Sequence, residues 1–153
     1  MKYRFVFAAL ASILFFSSCN HDRKEIHDVA MGYLNATGNY LVDEAIPFAT
    51  KETREVTIPF MRDKLMPLVD SAYIASDTPA HFVIDSITVE TDTAWVYYTK
   101  TTPIKNFSDC IQVIKENGDW LVNVILDLPE MLSTPDTITL QVAPDAKLQK
   151  NEN

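Results

Sequence analysis

The order of hydrophobic patterns along the chain predicts an α+β domain, in which N-terminal helices pack on an antiparallel sheet of four or more strands. Apolar residues recur at helical spacing from Ile26 to about Tyr73. From Phe82 to Leu126 they alternate with polar residues, and only short links separate the alternating runs. Helices followed by consecutive strands are typical of an α+β fold. The length of 153 residues fits one such domain with a real core.

A leader segment precedes the predicted domain. Residues 1–4 are basic, and Phe5 to Phe16 are apolar apart from Ser12. This run is shorter than the roughly 20 residues that a membrane-spanning helix needs. A basic start followed by a short apolar run is typical of a secretory signal. A membrane anchor helix is the alternative, and the charged residues 21–25 speak against it because they end the apolar run early.

The end of the leader, Phe16-Ser17-Ser18-Cys19, resembles the lipobox of bacterial lipoprotein signals. The resemblance implies that residues 1–18 are a signal peptide and that Cys19 carries the lipid and begins the mature chain. Residues 19–25 would then be a lipidated tether. Two or more acyl chains hold a protein stably on a membrane. Asn20 follows the cysteine in place of Asp, so we expect the outer membrane of a bacterial cell envelope, on its periplasmic or surface face.

The helical part of the domain divides into three regions. One face of the first helix is apolar and is formed by Ile26, Val29, Ala30, Tyr33 and Leu34. Gly38 is a natural end for that helix. A second, short helix is predicted around residues 41–49. The third region, residues 51–73, is interrupted by Pro59 and Pro67, so we expect a bend or two pieces.

Four strands are predicted after the helices, at residues 82–89, 94–101, 107–115 and 120–126. The turn residues Asn117-Gly118 join the last two, because both tolerate the positive φ of a tight hairpin. Beyond Pro129 the pattern weakens, and residues 129–153 are predicted to be a tail. Within it, residues 137–142 alternate as a strand would and offer a fifth strand at a sheet edge.

The succession of helix, short helix, helix and strand meander resembles the nuclear transport factor 2-like, or cystatin-like, fold, and small bacterial lipoproteins that have it. The segment HDVAMGYLNATGNYLVDEAIPFAT and the hairpin IQVIKENGDWLVNVILDL carry the resemblance, which covers residues 26–128. It implies a strongly curved sheet wrapped against helices as a cone. The mouth of such a cone often holds a small apolar ligand or a protein partner. The side chains that we expect to line it are Tyr33, Trp95, Tyr97, Ile111 and Trp120.

An enzyme on this fold would need a carboxylate or histidine base in an apolar pocket with phenol donors beside it. Candidate groups for such a site are Tyr33, Tyr40, Asp43, Tyr73, Tyr97 and Asp109. None lies in a recognisable catalytic motif, so we predict no catalytic residues. An isomerase-like or dehydratase-like enzyme that uses the cone pocket is the alternative.

Other kinds of site have weaker signals. Cys110 is predicted to be a buried small hydrophobe, since Cys19 is assigned to the lipid and no histidine stands in a recognisable relation to Cys110. No metal-ligand spacing is present, so we predict neither metal nor cofactor. Asp136-Thr137-Ile138 resembles an O-glycosylation motif of some bacterial envelope proteins, which makes Thr137 a candidate acceptor.

Charge and composition exclude several functions. The net charge of −8 repels phosphate backbones, so nucleic acid is not expected as a partner. With only three glycines, the chain has no glycine-rich phosphate loop. The sequence therefore predicts a lipid-anchored envelope protein with a non-catalytic domain that binds a small apolar ligand or another envelope protein. An accessory subunit of an envelope complex is a further alternative.

Overall fold

The computed structural model describes the backbone of residues 4–126 and the side chains of residues 21–126. Within this range three α-helical segments come first: α1 (Arg4–Gly38), α2 (Ile58–Phe60) and α3 (Ser71–Asp77). Four strands follow in the same range: β1 (His81–Glu90), β2 (Thr93–Thr101), β3 (Asn106–Glu116) and β4 (Asp119–Asn123). This order confirms the predicted α+β class with a curved antiparallel sheet. The predicted tail 129–153, with its strand 137–142 and Thr137, lies outside the described residues, as does the side chain of Cys19.

Helix α1 buries the apolar face that its spacing predicts. Ile26, Ala30, Tyr33 and Leu34 are buried, and Val29 packs partly against them. The helix lies across one face of the sheet and contacts all four strands. The main hydrophobic core therefore forms between α1 and that sheet face.

The segment 19–25, which the sequence predicts as a tether, is part of the continuous helix α1. Asp22 in this segment lies with Oδ1 3.7 Å from Nζ of Lys115 on β3. The same ammonium group stands 5.3 Å from the ring centroid of Trp120. The helix thus begins to contact the sheet ahead of Ile26. No helix in the described part of the chain is both long and apolar enough to cross a membrane.

Helix α1 ends at Gly38, as predicted, but a tyrosine takes the left-handed position that follows. The amide of Leu41 donates to the carbonyl of Ala36 and the amide of Tyr40 to that of Thr37, at 2.9 and 3.1 Å. This pair of bonds is the Schellman arrangement, in which glycine usually occupies the position held here by Tyr40, with φ of 64°. Gly38 has a different role, because a Cβ atom there would meet the ring of Phe82.

Residues 42–68 are mostly helical but irregular, in line with their prolines. A 3-10 helix spans Val42–Phe48. Two π-helical segments, Thr53–Thr57 and Met61–Leu65, enclose α2, and a short 3-10 turn spans Met66–Leu68. Proline cannot donate the amide hydrogen bond of a helix interior, so each proline shifts the hydrogen-bond pattern instead of continuing a straight α-helix.

The strands form one antiparallel sheet in the order β1-β2-β3-β4. The hairpin between β3 and β4 turns at Asn117 and Gly118, whose φ angles are 56° and 100°. The prediction of a tight turn with two positive φ angles is therefore confirmed. Tight links between neighbours are what place all four strands in sequence order.

Strand β1 contains a β-bulge at Asp85 that the sequence pattern did not predict. The register with β2 shifts between Ile84 and Ser86. Before the bulge Phe82 and Ile84 point to the helices, and after it Ile87 and Val89 do. The extra residue changes which alternate positions face the core. Both halves of the strand can thereby bury apolar side chains.

Strand β4 ends at Asn123, three residues before the predicted end, because threonine side chains replace its next partner. Thr50, Thr53 and Thr57 are buried and share one helical face. The Thr53 hydroxyl accepts a 2.9 Å hydrogen bond from the amide of Val124, and the Thr57 hydroxyl donates to the Val124 carbonyl. These bonds satisfy the backbone where strand pairing stops.

Candidate functional site

The five side chains predicted to line one pocket lie on two faces of the sheet. Tyr33, Ile111 and Trp120 are buried in the core between α1 and the sheet. Trp95 and Tyr97 lie on the opposite, outer face and are 36% and 45% exposed. Alternate residues of a strand point to opposite faces, and in β2 the inward positions belong to Val96 and Tyr98 (outside this set). The structure therefore does not bring the five together in a single pocket.

The outer face has two adjoining depressions. One of about 300 Å³ is lined by Trp95, Cys110, Ile111, Gln112, Asn123, Val124 and Ile125. The other, of about 280 Å³, is lined by Asp85, Tyr97, Tyr98, Ser108, Asp109 and Cys110. Trp95 and Ile111 thus line the first and Tyr97 the second, which keeps the two exposed aromatic side chains of β2 beside open space.

Two amide side chains are held in place at the first depression. Nδ2 of Asn123 donates to Oε1 of Gln112 at 2.8 Å. Oδ1 of Asn123 accepts from the Thr50 hydroxyl at 3.3 Å. Among residues 21–126 no acceptor uses the two N–H groups of Gln112 or the second N–H of Asn123. The depression therefore combines an aromatic side chain with oriented amide donors.

Cys110 is exposed on the outer face, so the prediction of a buried thiol is wrong. It pairs with Tyr97 across the β2–β3 ladder and borders both depressions. Its neighbour Ile111 takes the inward position of β3. In "FSDCIQVI" either set of alternate residues contains an apolar side chain, and for this reason the sequence pattern alone did not fix the face.

A charged cluster lies at the far end of the sheet, where α3 meets the ends of β1 and β2. The Asp77 side chain is fully buried. Its Oδ1 accepts from the Thr102 hydroxyl at 2.9 Å and lies 3.2 Å from Nζ of Lys105. Its Oδ2 accepts from the Tyr40 hydroxyl at 2.8 Å and from Nζ of Lys100 at 3.3 Å. We refer to Tyr40, Asp77, Lys100, Thr102 and Lys105 as the Asp77 cluster.

These contacts decide the protonation of the cluster. Burial by itself raises the pKa of Asp77, but hydrogen bonds from Tyr40, Thr102 and Lys105 outweigh it and lower the pKa to about 2. Burial, and then the hydrogen bond to Asp77, raises the pKa of Tyr40 to about 12. The hydrogen bond to Tyr73 is the main cause of a raised pKa at Lys105. At neutral pH the cluster therefore holds one carboxylate and a neutral phenol, and the raised pKa keeps Lys105 charged.

Such a carboxylate is a poor proton acceptor. A general base needs a pKa near the working pH and an accessible lone pair, whereas Asp77 has a pKa of about 2 and four donors around its two oxygens. The Asp77 carboxylate lies within hydrogen-bond distance of the Tyr40 hydroxyl, as an isomerase-like site requires. Its pKa, however, is too low for a general base. The geometry is that of a structural ion-pair cluster, in which one buried carboxylate connects several elements of the fold.

The remaining predicted catalytic candidates are dispersed. Asp43 accepts a 3.1 Å hydrogen bond from Arg62 on the surface. Tyr73 accepts one from Lys105 at 2.8 Å, beside the Asp77 cluster. Asp109 is exposed and pairs with Tyr98 across the β2–β3 ladder, and burial together with that carboxylate raises the pKa of Tyr98 to about 12. Tyr33 is buried, and burial likewise raises its pKa to about 12. No three His, Cys, Asp or Glu side chains converge as a metal site within the described range.

Sequence reasoning missed Asp77, Lys100 and Lys105. One signal was present: Asp77 is the last residue of helix α3, where the helix dipole disfavours a negative charge. An acidic residue at that position indicates a specific partner. The partners stand 23 and 28 positions further along the chain, at a strand end and in a loop, and no local pattern connects them.

The chain is similar to one described protein family and to a solved structure of another protein. A model of the family described as "Putative lumazine-binding" matches residues 21–124, and its first residue falls within the segment predicted as a tether. The chain is also similar to the crystal structure of an NTF-2 like protein of unknown function from Shewanella oneidensis MR-1. The two are 12% identical with a TM-score of 0.44, and the match covers 66% of this chain and 93% of the other.

A search of curated proteins found no match. The family model, however, covers more than half of the chain. The chain therefore belongs to the family described as "Putative lumazine-binding".

Proposed function

We propose that the mature chain is a lipid-anchored protein of the bacterial cell envelope whose domain binds a small ligand without chemical conversion. The observation that carries the binding role is the outer sheet face, where Trp95 and Tyr97 are exposed on one strand beside open depressions. Exposed aromatic side chains that the core does not use are common in recognition surfaces. Both oxygens of the Asp77 carboxylate already accept hydrogen bonds and its pKa is about 2, so it is a poor general base, and this supports binding over catalysis.

The ligand class follows from the chemistry of the first depression. Trp95 provides an aromatic face, and Gln112 and Asn123 provide amide groups at its border. A flat heteroaromatic molecule with lactam edges could stack on the Trp95 ring and accept hydrogen bonds from the amide groups of Gln112 and Asn123. The family's description is "Putative lumazine-binding", and lumazine is a molecule of this kind. It is therefore the first probe to use.

Calorimetric titration with lumazine tests the binding role. Trp95→Ala should weaken binding about fivefold or more, because loss of one stacking partner typically costs about 1–3 kcal/mol. Val83→Ala, an exposed apolar residue on β1 that lines neither depression, is the matched control and should bind as the unmodified protein does. Saturable binding that survives Trp95→Ala would move the site elsewhere. No saturable binding would remove lumazine as the ligand.

The membrane anchor is tested separately from the ligand. The chain has two cysteines, so Cys19→Ala and Cys110→Ala form a matched pair. Cys19→Ala should transfer the protein from the membrane fraction to the soluble fraction with unchanged circular dichroism, whereas Cys110→Ala should remain with membranes. Sedimentation of the Cys19→Ala protein with membranes would contradict lipid attachment at Cys19.

A further inference from the structure

The Asp77 cluster contains more positive than negative charge. The ammonium groups of Lys100 and Lys105 lie 3.3 and 3.2 Å from the same carboxylate. In the described part of the chain neither lysine forms an ion pair with a second acidic residue. A largely buried ammonium group without its own counter-ion is costly. In a protein of net charge −8 this local excess of positive charge is a feature that the fold alone does not require.

Lys100 also has hydrogen-bonding capacity to spare. Its side chain is 10% exposed, and the ammonium group has one acceptor, Oδ2 of Asp77, among the described side chains. An ammonium group carries three N–H donors. Asp77 is a poor source of further acceptors because Tyr40, Thr102 and Lys105 already use its two oxygens. The cluster therefore has few acceptor atoms for its ammonium donors and one negative charge for two positive ones, and an external oxyanion would supply both an acceptor and a negative charge.

Aromatic rings surround the two ammonium groups. Nζ of Lys100 lies 6.0 Å from the ring centroids of Phe82 and Phe107. Nζ of Lys105 lies 5.3 Å from the centroid of Tyr73 and 6.0 Å from that of Phe107. Tyr73 and Phe107 are both exposed, and Lys105 is partly so. A molecule that approaches Lys105 from solvent thus meets aromatic surface as well as positive charge.

We propose that this end of the domain binds a small aromatic carboxylate. Its carboxylate group accepts hydrogen bonds from Lys105 and Lys100, and its ring packs on the exposed rings of Phe107 and Tyr73. The site shares no residue with the depression at Trp95, so it stands independently of the ligand proposed there.

Benzoate and its neutral analogue benzamide are suitable probes, because they have the same size and shape and differ in charge. Calorimetry or amide chemical shifts of the whole domain should give saturable binding of benzoate, with the shifts centred on residues 73, 100–107 and 40. Benzamide should bind at least about tenfold more weakly, which is the usual effect of losing a charge-assisted hydrogen bond. Equal binding of the two molecules would overturn the proposal.

Three lysine variants test which ammonium groups bind the benzoate carboxylate. Lys105→Met and Lys100→Met should each weaken benzoate binding about tenfold or more. Lys51→Met removes the same charge at an exposed position on another part of the domain and should leave binding unchanged. If Lys100→Met does not fold, the Lys105→Met variant tests the site alone. The Lys105 side chain is far more exposed, so its replacement disturbs the fold less. Unchanged affinity in Lys105→Met, or no saturable benzoate binding at all, would exclude this site.

Discussion

The hydroxyl of Tyr40 donates a 2.8 Å hydrogen bond to Oδ2 of the buried Asp77. This bond connects the turn after α1 to the end of α3, 37 positions along the chain. It also accounts for the residue type at the turn, because Tyr40 has a φ of 64° where glycine is the usual choice. The left-handed backbone costs about 1–2 kcal/mol for a residue with a side chain, and a hydrogen bond to a carboxylate offsets a cost of that size.

Removal of this hydroxyl gives the first prediction. Tyr40→Phe keeps the ring and the backbone conformation but leaves one lone pair of a buried carboxylate unpaired. We expect the free energy of unfolding to fall by about 1.5–3 kcal/mol, measured by urea denaturation. Tyr97→Phe removes an exposed phenol on the outer face and is the control, with an expected change close to zero. Equal midpoints for the two variants would show that the bond to Asp77 contributes nothing.

The pKa of Asp77 predicts how stability depends on acid. Its value of about 2 in the folded state lies below the ordinary 3.8, so the folded protein favours the ionised form. The resulting stabilisation is complete above about pH 4 and is lost as the pH falls from 4 towards 2. Thermal unfolding measured at steps through this range should show the loss.

The matched variant for acid unfolding is Asp77→Asn, which cannot ionise. Its thermal midpoint should be lower than that of the unmodified protein at pH 7, because two lysines lose their shared counter-ion. Between pH 4 and pH 2 the two proteins should converge. Parallel curves over that interval would mean that other carboxyl groups cause the acid sensitivity.

A third prediction concerns the threonine contacts at the end of β4. Thr53→Val preserves shape but leaves the partly buried amide of Val124 without its acceptor. We expect a loss of about 1–3 kcal/mol in the free energy of unfolding. Thr88→Val, at an exposed position of β1, is the control and should be neutral or slightly stabilising, since valine favours strands. A neutral Thr53→Val would mean that water replaces the lost hydroxyl.

Local patterns predicted the elements of the domain because each pattern reflects contacts within a few residues. The apolar face of α1 and the Asn117-Gly118 turn are of this kind, and both are found as predicted. The bulge at Asp85 is different, because it is stabilised by register with β2 and appears in the sequence as an uninterrupted strand.

The candidate sites were less predictable than the elements. Trp95 and Trp120 looked alike as aromatic strand residues, yet one lies on the outer face and the other in the core. The face of a strand depends on what packs against it, which alternation alone does not tell. The Asp77 cluster joins residues from the turn after α1, from α3, from β2 and from the loop after it, so only the folded chain brings them together.

The exposure of Cys110 makes a fourth prediction. In the Cys19→Ala protein Cys110 is the remaining thiol. A maleimide reagent should modify it in the native state at a rate of the same order as in urea, because the thiol is accessible on the outer face. Mass spectrometry of the timed reaction measures both rates. A thiol that reacts only after unfolding would place Cys110 in the interior after all.

The last prediction concerns Gly38, the end of α1. In an exposed helix Gly→Ala is usually stabilising, because alanine has the higher helix propensity. Here a Cβ atom would fall on the ring of Phe82. The centroid of that ring lies 5.8 Å from the centroid of the Tyr98 ring, and this packing restricts its movement. Gly38→Ala should therefore lower the free energy of unfolding by about 1–3 kcal/mol, the usual cost of overpacking a core. Combined with Phe82→Leu, which removes the obstructing ring, the same substitution should cost less, and this non-additivity is measured by a double-mutant cycle. Strict additivity of the two changes would mean that Gly38 is required for some reason other than the approach of Phe82.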